Sequence, residues 1–332
     1  MPSQFQQHFS HKESHRCNCS FVNNTTTSDV IIIGGGAAGL SAGLVLSRAR
    51  ADVLIVDSGQ PRNSPATQMH GFLSRDGMDP AEFLRTARHE IDGYGGAFLE
   101  GSVASVETHA GFFRVTLLDA TTRQARAILV ATGLDDQLPL IPGLRDRWGT
   151  LVHHCPYCHG YEVRGLRISV VGGPAREMSI KQAGLLRRYS DAVTFITNGI
   201  DLDPSERSRL EAFDIHVVTG DVSHLIGAPA TLTGVGLGSG DVVPTDAVFI
   251  APPQRAHDEL LKGLGCETDA VTGLVSTDPS GVTSVPGVWA AGNVVTPSAQ
   301  IVTAAGAGSA AAISINGWLL NKDLDAATAA RP

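Results

Sequence analysis

Three glycines placed directly after a fully apolar tetrapeptide constrain this chain more than any other feature. Val30–Ile33 is apolar at every position, as expected for a strand buried on both faces. Gly34-Gly35-Gly36-Ala37-Ala38-Gly39 follows, then a helical pattern through Leu40, Leu44 and Leu46. A second strand, Val53–Val56, ends at Asp57. The order is strand, Gly-x-Gly-x-x-Gly, helix, strand, acid, with the acid roughly 20 residues past the glycine turn. Gly34 makes the turn, Gly36 lets backbone approach a pyrophosphate, and Gly39 lets helix and strand pack closely. The helix N-terminus offers free N–H groups to phosphate, and Asp57 can accept from a ribose hydroxyl. A structural glycine turn alone would not need these flanking elements in register.

With 332 residues the chain has room for about two domains. An apolar content of 42% excludes a disordered chain. Lys+Arg of 25 against Asp+Glu of 33 gives −8, so no basic excess points to nucleic acid or an anionic membrane. Five cysteines are too few for a disulfide scaffold. Residues 1–28 lack the apolar core of a signal peptide and read as a flexible tail carrying His8, His11, His15, Cys17 and Cys19. Val30–Ser47 and Gly287–Leu320 are uncharged, but their Gly, Ala, Ser and Thr content suits closely packed helices better than membrane spans. The expectation is a soluble, cytoplasmic protein.

Further on, Ala97–Val106, Phe112–Leu118 and Ala125–Val130 read as strands leading to Ala131-Thr132-Gly133. Pro139, Pro142 and Gly143 mark a hinge-like connection. After His153-His154-Cys155-Pro156-Tyr157-Cys158-His159-Gly160 comes a second unit. It has a strand Leu166–Val171, a turn Gly172–Glu177, a helix Ser179–Tyr189 and a strand Ala192–Ile196. The fold class is therefore α/β, with two Rossmann-like halves. The second unit lacks a phosphate seat. Pro174 stands where the second glycine belongs and has no N–H to donate, and Glu177 brings a negative charge. Thr197-Asn198-Gly199 holds no arginine pair for a 2′-phosphate. Near the end, Val285–Asn293 is a strand entering a turn, and Ala299-Gln300-Ile301 opens a long helix.

These motifs, in this order and spacing, resemble the low-molecular-weight thioredoxin reductases over about residues 29–320. In detail they look more like the FAD-dependent dithiol oxidases of gliotoxin-, holomycin- and romidepsin-type natural products. The grounds are Asp57–Asn63, Met69-His70-Gly71-Phe72-Leu73, the His154–Glu162 run and the degraded second nucleotide motif. Thioredoxin reductases proper carry an acid where His159 stands, and a basic cluster after the second nucleotide-domain helix. The resemblance implies bound FAD held by Gly34, Gly36, Ala37, Ala38, Gly39, Asp57, Ser58, Asn63, Val103, Ala131, Thr132, Gly133, Gly292, Asn293, Gln300 and Ile301. Asn293 replaces the family's aspartate and can still bond a ribityl hydroxyl. The Gln300–Ile301 helix start can point N–H groups at the flavin N1–C2=O edge. The resemblance also implies two Rossmann-like, three-layer ββα domains, the first discontinuous over 29–146 and 275–322 and enclosing 147–274, with 323–332 as a tail. It further implies a homodimer, a small-molecule dithiol substrate and O2 as acceptor. It makes Cys155 the outer sulfur that meets substrate, turns Cys158 toward flavin C4a, and puts Asn63 in the loop that reaches the active site.

Cys155-x-x-Cys158 can form a disulfide across one turn. Cys155-x-x-Cys158-His159 also matches the haem c attachment pattern, which needs an oxidising setting. A zinc site through His153 or His154 would need further ligands. Position between two Rossmann halves favours the redox disulfide. C-x-x-C spacing lowers a thiol pKa, and His154 and His159 flank the pair as candidate bases. Cys266 reads as a buried structural thiol. A pyridine-nucleotide- or ferredoxin-dependent disulfide reductase is the rival within the fold. A non-catalytic flavin- or thiol-binding regulator is the rival outside it.

Overall fold

The computed structural model describes residues 27–331. In β1 (Thr27–Ile33), Val30 and Ile32 face one apolar cluster while Ile31 and Ile33 face another. Two cores, one on each side, require an apolar residue at every position. β1 lies between β2 (Val53–Asp57) and β6 (Thr122–Val130), parallel to both. β3 (Ala97–Glu100) extends the sheet beyond β2, while β4 (Val103–His109) and β5 (Phe112–Leu117) add antiparallel strands at the other side. β5 pairs with β6 over Thr122–Ala125, and β17 (Val288–Ala290) takes the remaining stretch, Ile128–Val130. The sheet has seven strands. Ile33 thus pairs with Val130, and Val130 with Ala290. Three loops far apart in sequence leave from one carboxyl edge, the place where α/β sheets bind ligands.

Helices α1 (Ala37–Arg48), α2 (Pro80–Asp92) and α7 (Ile301–Ala329) cover the Val30/Ile32 face. α7 crosses α1 so closely that a Cβ at Gly308 would lie 1.9 Å from the Ala38 carbonyl oxygen. Gly308→Val is therefore expected to lower stability by at least about 1–3 kcal/mol, read from urea unfolding. An unchanged midpoint would show that the two helices can separate freely. Among the described residues, no helix is long and apolar enough to cross a membrane.

β8 (Val152–His153), β9 (Ile168–Val171), β10 (Val193–Ile196), β11 (His216–Val218) and β15 (Ala247–Ile250) form a parallel sheet of order β11-β10-β9-β15-β8. α4 (Arg176–Leu186) and α5 (Pro204–Glu211) pack on one face. The antiparallel β12 (Val222–Ile226), β13 (Gly234–Leu237) and β14 (Val242–Pro244) pack on the other. This is a ββα layering. The two halves are joined by an antiparallel ribbon of β7 (Leu134–Asp136) and β16 (Gln254–Ala256).

That ribbon moves the boundaries read from the sequence. Leu144 packs in the second half's core, so the crossing falls before the Pro139–Gly143 punctuation and not at 146. On the return, Leu261 of α6 (Glu259–Gly263) and Cys266 already pack with Ile31 and Val106, ahead of the expected 275. Thr27 and Ser28, assigned to the tail, pair with Gln124 and Ala125. Residues 323–329, also read as tail, continue α7, and Asp323 pairs with Arg126. The single strand expected over Ala97–Val106 is two: it breaks at Gly101, whose φ is +155°, so that β3 pairs with β2 at one edge of the sheet and β4 with β5 at the other. The helix expected from Ser179 begins at Arg176. His8, His11, His15, Cys17 and Cys19 lie outside the described residues.

Candidate active site

A cavity of about 540 Å³ opens between the carboxyl edge of the first sheet and the Cys155–His159 segment. Gly34 sits at its base with φ +108°, and a Cβ there would lie 2.3 Å from the Ala131 carbonyl oxygen. Only glycine tolerates both conditions. A Cβ at Gly35 would collide with the Asp57 carboxylate, 2.6 Å away. The Gly35 N–H instead donates to Asp57 Oδ1 at 3.0 Å, and Arg88 pairs with Asp57 Oδ2. At Gly36 a Cβ would meet nothing within 4 Å, so the backbone before α1 faces open cavity. The wall continues through Ala37, Ala38, Ser58, Val103, Ala131, Thr132 and Gly133, and then Gly292, Asn293, Gln300 and Ile301. Asn293 donates its amide to the carbonyls of Thr296 at 3.1 Å, Pro297 at 3.0 Å and Ala299 at 2.9 Å. Its Nδ2 therefore shapes the loop, which leaves Oδ1 as the atom that can accept from a ligand. An elongated cavity with a bare backbone turn, an acid at one end and a helix start at the other fits a dinucleotide. Gly39 is a correction to the expected lining. Its Cβ would lie 1.9 Å from the Gly34 carbonyl oxygen, so it packs the helix against the turn and does not face the cavity.

Cys155 caps α3 (Pro156–His159), its Sγ accepting from the Cys158 N–H at 3.1 Å. The two cysteines form a disulfide, with Cα atoms 5.2 Å apart. Cys158 lines the cavity; Cys155 does not, and is half-buried on the far side of the bond. α3 is held on α4. Gln182 donates to the His154 carbonyl at 2.7 Å and to the Ile250 carbonyl at 3.1 Å. A Cβ at Gly160 would strike the Tyr189 ring at 2.6 Å.

His154 and His159 both line the cavity beside Cys158, with Asn63 on the loop that follows β2. His154 stacks on Trp148 at 5.5 Å between ring centroids. Arg62 donates to its Nε2 at 3.3 Å while gripping the buried Asp136 carboxylate with two bonds, at 2.8 and 2.7 Å. Burial pushes the His154 pKa down to about 4; Asp136 opposes this and the Arg62 charge adds to it. The Arg62 contact assigns the proton of the neutral ring to Nδ1 and engages the Nε2 lone pair. Burial also lowers the His159 pKa, with Glu162 opposing and His70 assisting. Both rings are neutral at pH 7, the state a general base requires.

Several residues of this site were not singled out from the sequence. Arg62 and Asp136 are 74 positions apart and meet because the loop after β2 folds over the ribbon. His70 reaches Glu162 at 3.4 Å, linking that loop to the segment after the disulfide. His257 Nδ1 donates to the Thr132 carbonyl at 3.0 Å and its Nε2 faces Asp135 at 3.0 Å. Burial opposes charge on His257, but Asp135 and the Thr132 carbonyl outweigh it and hold its pKa above the usual value. Arg62 and His70 lie within the Asp57–Asn63 and Met69–Leu73 runs that carry the resemblance, whereas Asp136 and His257 had no signal beyond their residue type.

The second nucleotide-like turn packs on the strand end beside it. A Cβ at Gly172 would lie 2.1 Å from the Thr197 carbonyl oxygen. Asn198 donates to the Gly172 carbonyl at 2.8 Å and accepts the Val222 N–H at 2.9 Å, so its side chain bridges the ends of β9 and β10 to β12. Arg176, the cation at the start of α4, is bound to Glu206.

Residues 28–309 match the family described as pyridine nucleotide-disulphide oxidoreductase. Thioredoxin reductase tcpT of Claviceps purpurea (strain 20.1) is 32% identical over 268 residues, covering 77% of this chain and 83% of its own. Thioredoxin reductase sirT of Leptosphaeria maculans is 28% identical over 305 residues, covering 87% and 93%. The crystal structure of HlmI shares 46% identity and a TM-score of 0.88, over 92% of this chain and 96% of that one. An oxidoreductase from Agrobacterium tumefaciens shares 35% identity and a TM-score of 0.83, over 89% and 99%. A cysteine pair set against a dinucleotide cavity agrees with these likenesses, and the chain belongs to the pyridine nucleotide-disulphide oxidoreductase family as a thioredoxin-reductase-like flavoprotein oxidoreductase.

Proposed function

We propose that the protein is an FAD-dependent dithiol oxidase that closes an intramolecular disulfide in a small-molecule dithiol, with O2 reduced to H2O2. The observation that carries this reading is a disulfide whose inner sulfur lines the same cavity as two neutral imidazoles. The Gly34–Ala38 backbone would hold the pyrophosphate, Asp57 and Ser58 the adenosine ribose, and Asn293, Gln300 and Ile301 the ribityl and flavin end. Bound there, the flavin supplies a two-electron acceptor for the cysteine pair and a donor to O2.

The chain's own residues handle the sulfur and proton chemistry. His159 takes the proton of a substrate thiol, and the thiolate attacks Cys155 Sγ. The Cys155–Cys158 bond breaks and Cys158 leaves as a thiolate facing the cavity. The second substrate thiol then displaces Cys155, releasing the cyclic disulfide and leaving a reduced cysteine pair. Overall, one dithiol and one O2 give one cyclic disulfide and one H2O2. His154, its Nε2 engaged by Arg62, orients the segment and is the second candidate base.

A nucleotide-dependent disulfide reductase is the competing reading, and two relatives are named thioredoxin reductases. Pro174, which has no N–H to offer a phosphate, and the negative charge of Glu177 oppose it. The purified protein is expected to be yellow, and anaerobic addition of excess dithiothreitol is expected to bleach the flavin. Stoichiometric NADPH is expected to leave it oxidised over the same period. Rapid bleaching by NADPH would replace the oxidase with the reductase.

A further inference from the structure

We infer that His153 is a positioning residue for His159, acting through a pile of aromatic rings that runs from the core of the second sheet to the cavity; this rests on His159 being the base. β8 pairs with β15 so that His153 lies opposite Phe249. The Phe249 ring sits 5.3 Å from the His153 ring, and the His153 ring sits 4.3 Å from the His159 ring, tilted by only 20°. Phe249 is fully buried and His153 is 4% exposed, so the lower two rings are fixed by packing. His159 is the top ring, beside Cys158 at the cavity wall.

The pile matters because hydrogen bonding does not fix the upper ring at its inner nitrogen. Nδ1 of His159 is buried and has no partner among the described residues. Ring orientation in a histidine base is commonly set by a bond at the nitrogen away from the substrate. Here a flat face takes that place. His153 Nδ1 is also buried without a partner, a cost that a phenyl ring in the same slot would avoid.

The stack also decides where a proton goes. Two imidazoles face to face at this separation do not both carry charge. The groups around His153 are His159, His154, Phe249 and the Thr150 carbonyl, and only the carbonyl favours its protonation. His159 has the Glu162 carboxylate in its favour and His70 against it, with His153 beneath. Burial holds His153 neutral, with its pKa pushed down to about 3. The pair therefore takes up one proton, on His159, the ring that lines the cavity with Cys158.

The test compares His153→Phe with His153→Leu, since both fill the slot but only phenylalanine stacks. Each is combined with His159→Ala, and anaerobic flavin reduction by dithiothreitol is followed by stopped flow from pH 6 to 9. His153→Phe is expected to reduce within about twofold of the unmodified protein. His153→Leu is expected to be about tenfold slower at pH 7, with the gap narrowing by pH 9. Adding His153→Leu to His159→Ala is expected to cost nothing further, because a residue that acts through another has no effect once the other is gone. Equal rates for the Leu and Phe variants, or a full additional loss in the double variant, would overturn the positioning role while leaving the base in place. A normal rate for His159→Ala alone would overturn the base assignment itself.

Discussion

Cys158→Ser and Cys155→Ser are each expected to bind flavin normally and to lose dithiol oxidation by at least about 10³-fold. A serine hydroxyl can neither form nor accept a disulfide, so no electron pair can pass from the substrate sulfurs to the cavity through Sγ. Neither cysteine supports the dinucleotide cradle, which is built from the turn after β1 and the loops after β6 and β17. Flavin content and melting temperature should therefore stay near those of the unmodified protein. The two variants are expected to differ in one respect. With Cys158 replaced, the Cys155 thiol lies on the side away from the cavity and should be labelled readily by a disulfide reagent. With Cys155 replaced, the Cys158 thiol faces the flavin cavity and should react more slowly. Turnover near the normal rate in either variant would mean that dithiols are oxidised directly at the flavin, and the relay would be wrong.

His159→Ala is expected to slow flavin reduction by dithiol at least about tenfold at pH 7, where a full general-base contribution is about 10²–10⁴-fold. Partial replacement by His154 accounts for the lower bound. The pH dependence carries the assignment. Burial lowers the His159 pKa, so the ring stays neutral and basic below the ordinary histidine value of about 6.5. In the unmodified protein the acid limb of the rate should therefore lie below pH 6.5, with the rate falling as His159 becomes protonated. In the variant the defect should shrink toward pH 9, because thiols with a pKa of about 8.5 ionise unaided there. A loss that is the same at every pH would mark His159 as structural. An unchanged rate would pass the role to His154, despite the Arg62 contact at its Nε2.

What the sequence determined by itself was local. The apolar run of β1, the glycine turn and Asp57 are joined by backbone conformation and short-range packing, so their spacing alone gave the dinucleotide cradle. The Pro174 and Glu177 substitutions likewise spoke for themselves, because a missing N–H and an added charge need no tertiary context. The Cys155–Cys158 pair was legible because four-residue spacing brings two sulfurs together on one turn.

What only the tertiary structure decided was the company these motifs keep. The domain boundary lies at the β7–β16 ribbon because Asp136 pairs with Gln254 across the chain, whereas proline and glycine punctuation placed it later. Gly39 was read both as a packing glycine and as cofactor lining, and its position against the Gly34 carbonyl leaves only the packing role; the cradle and its support differ by a single direction of the Cα–Cβ bond. Asp57 was read for its ribose contact, and its bonds to Gly35 and Arg88 needed the sheet and α2 in place. The Arg62–Asp136–His154 chain and the Phe249–His153–His159 pile each join segments separated by scores of residues. Side-chain contacts of that kind have no period and no spacing rule, because loop closure and strand register set them. The sequence shows that histidines flank the disulfide; only the fold shows that one is engaged by an arginine, one is buried beneath another, and one lines the cavity with Cys158.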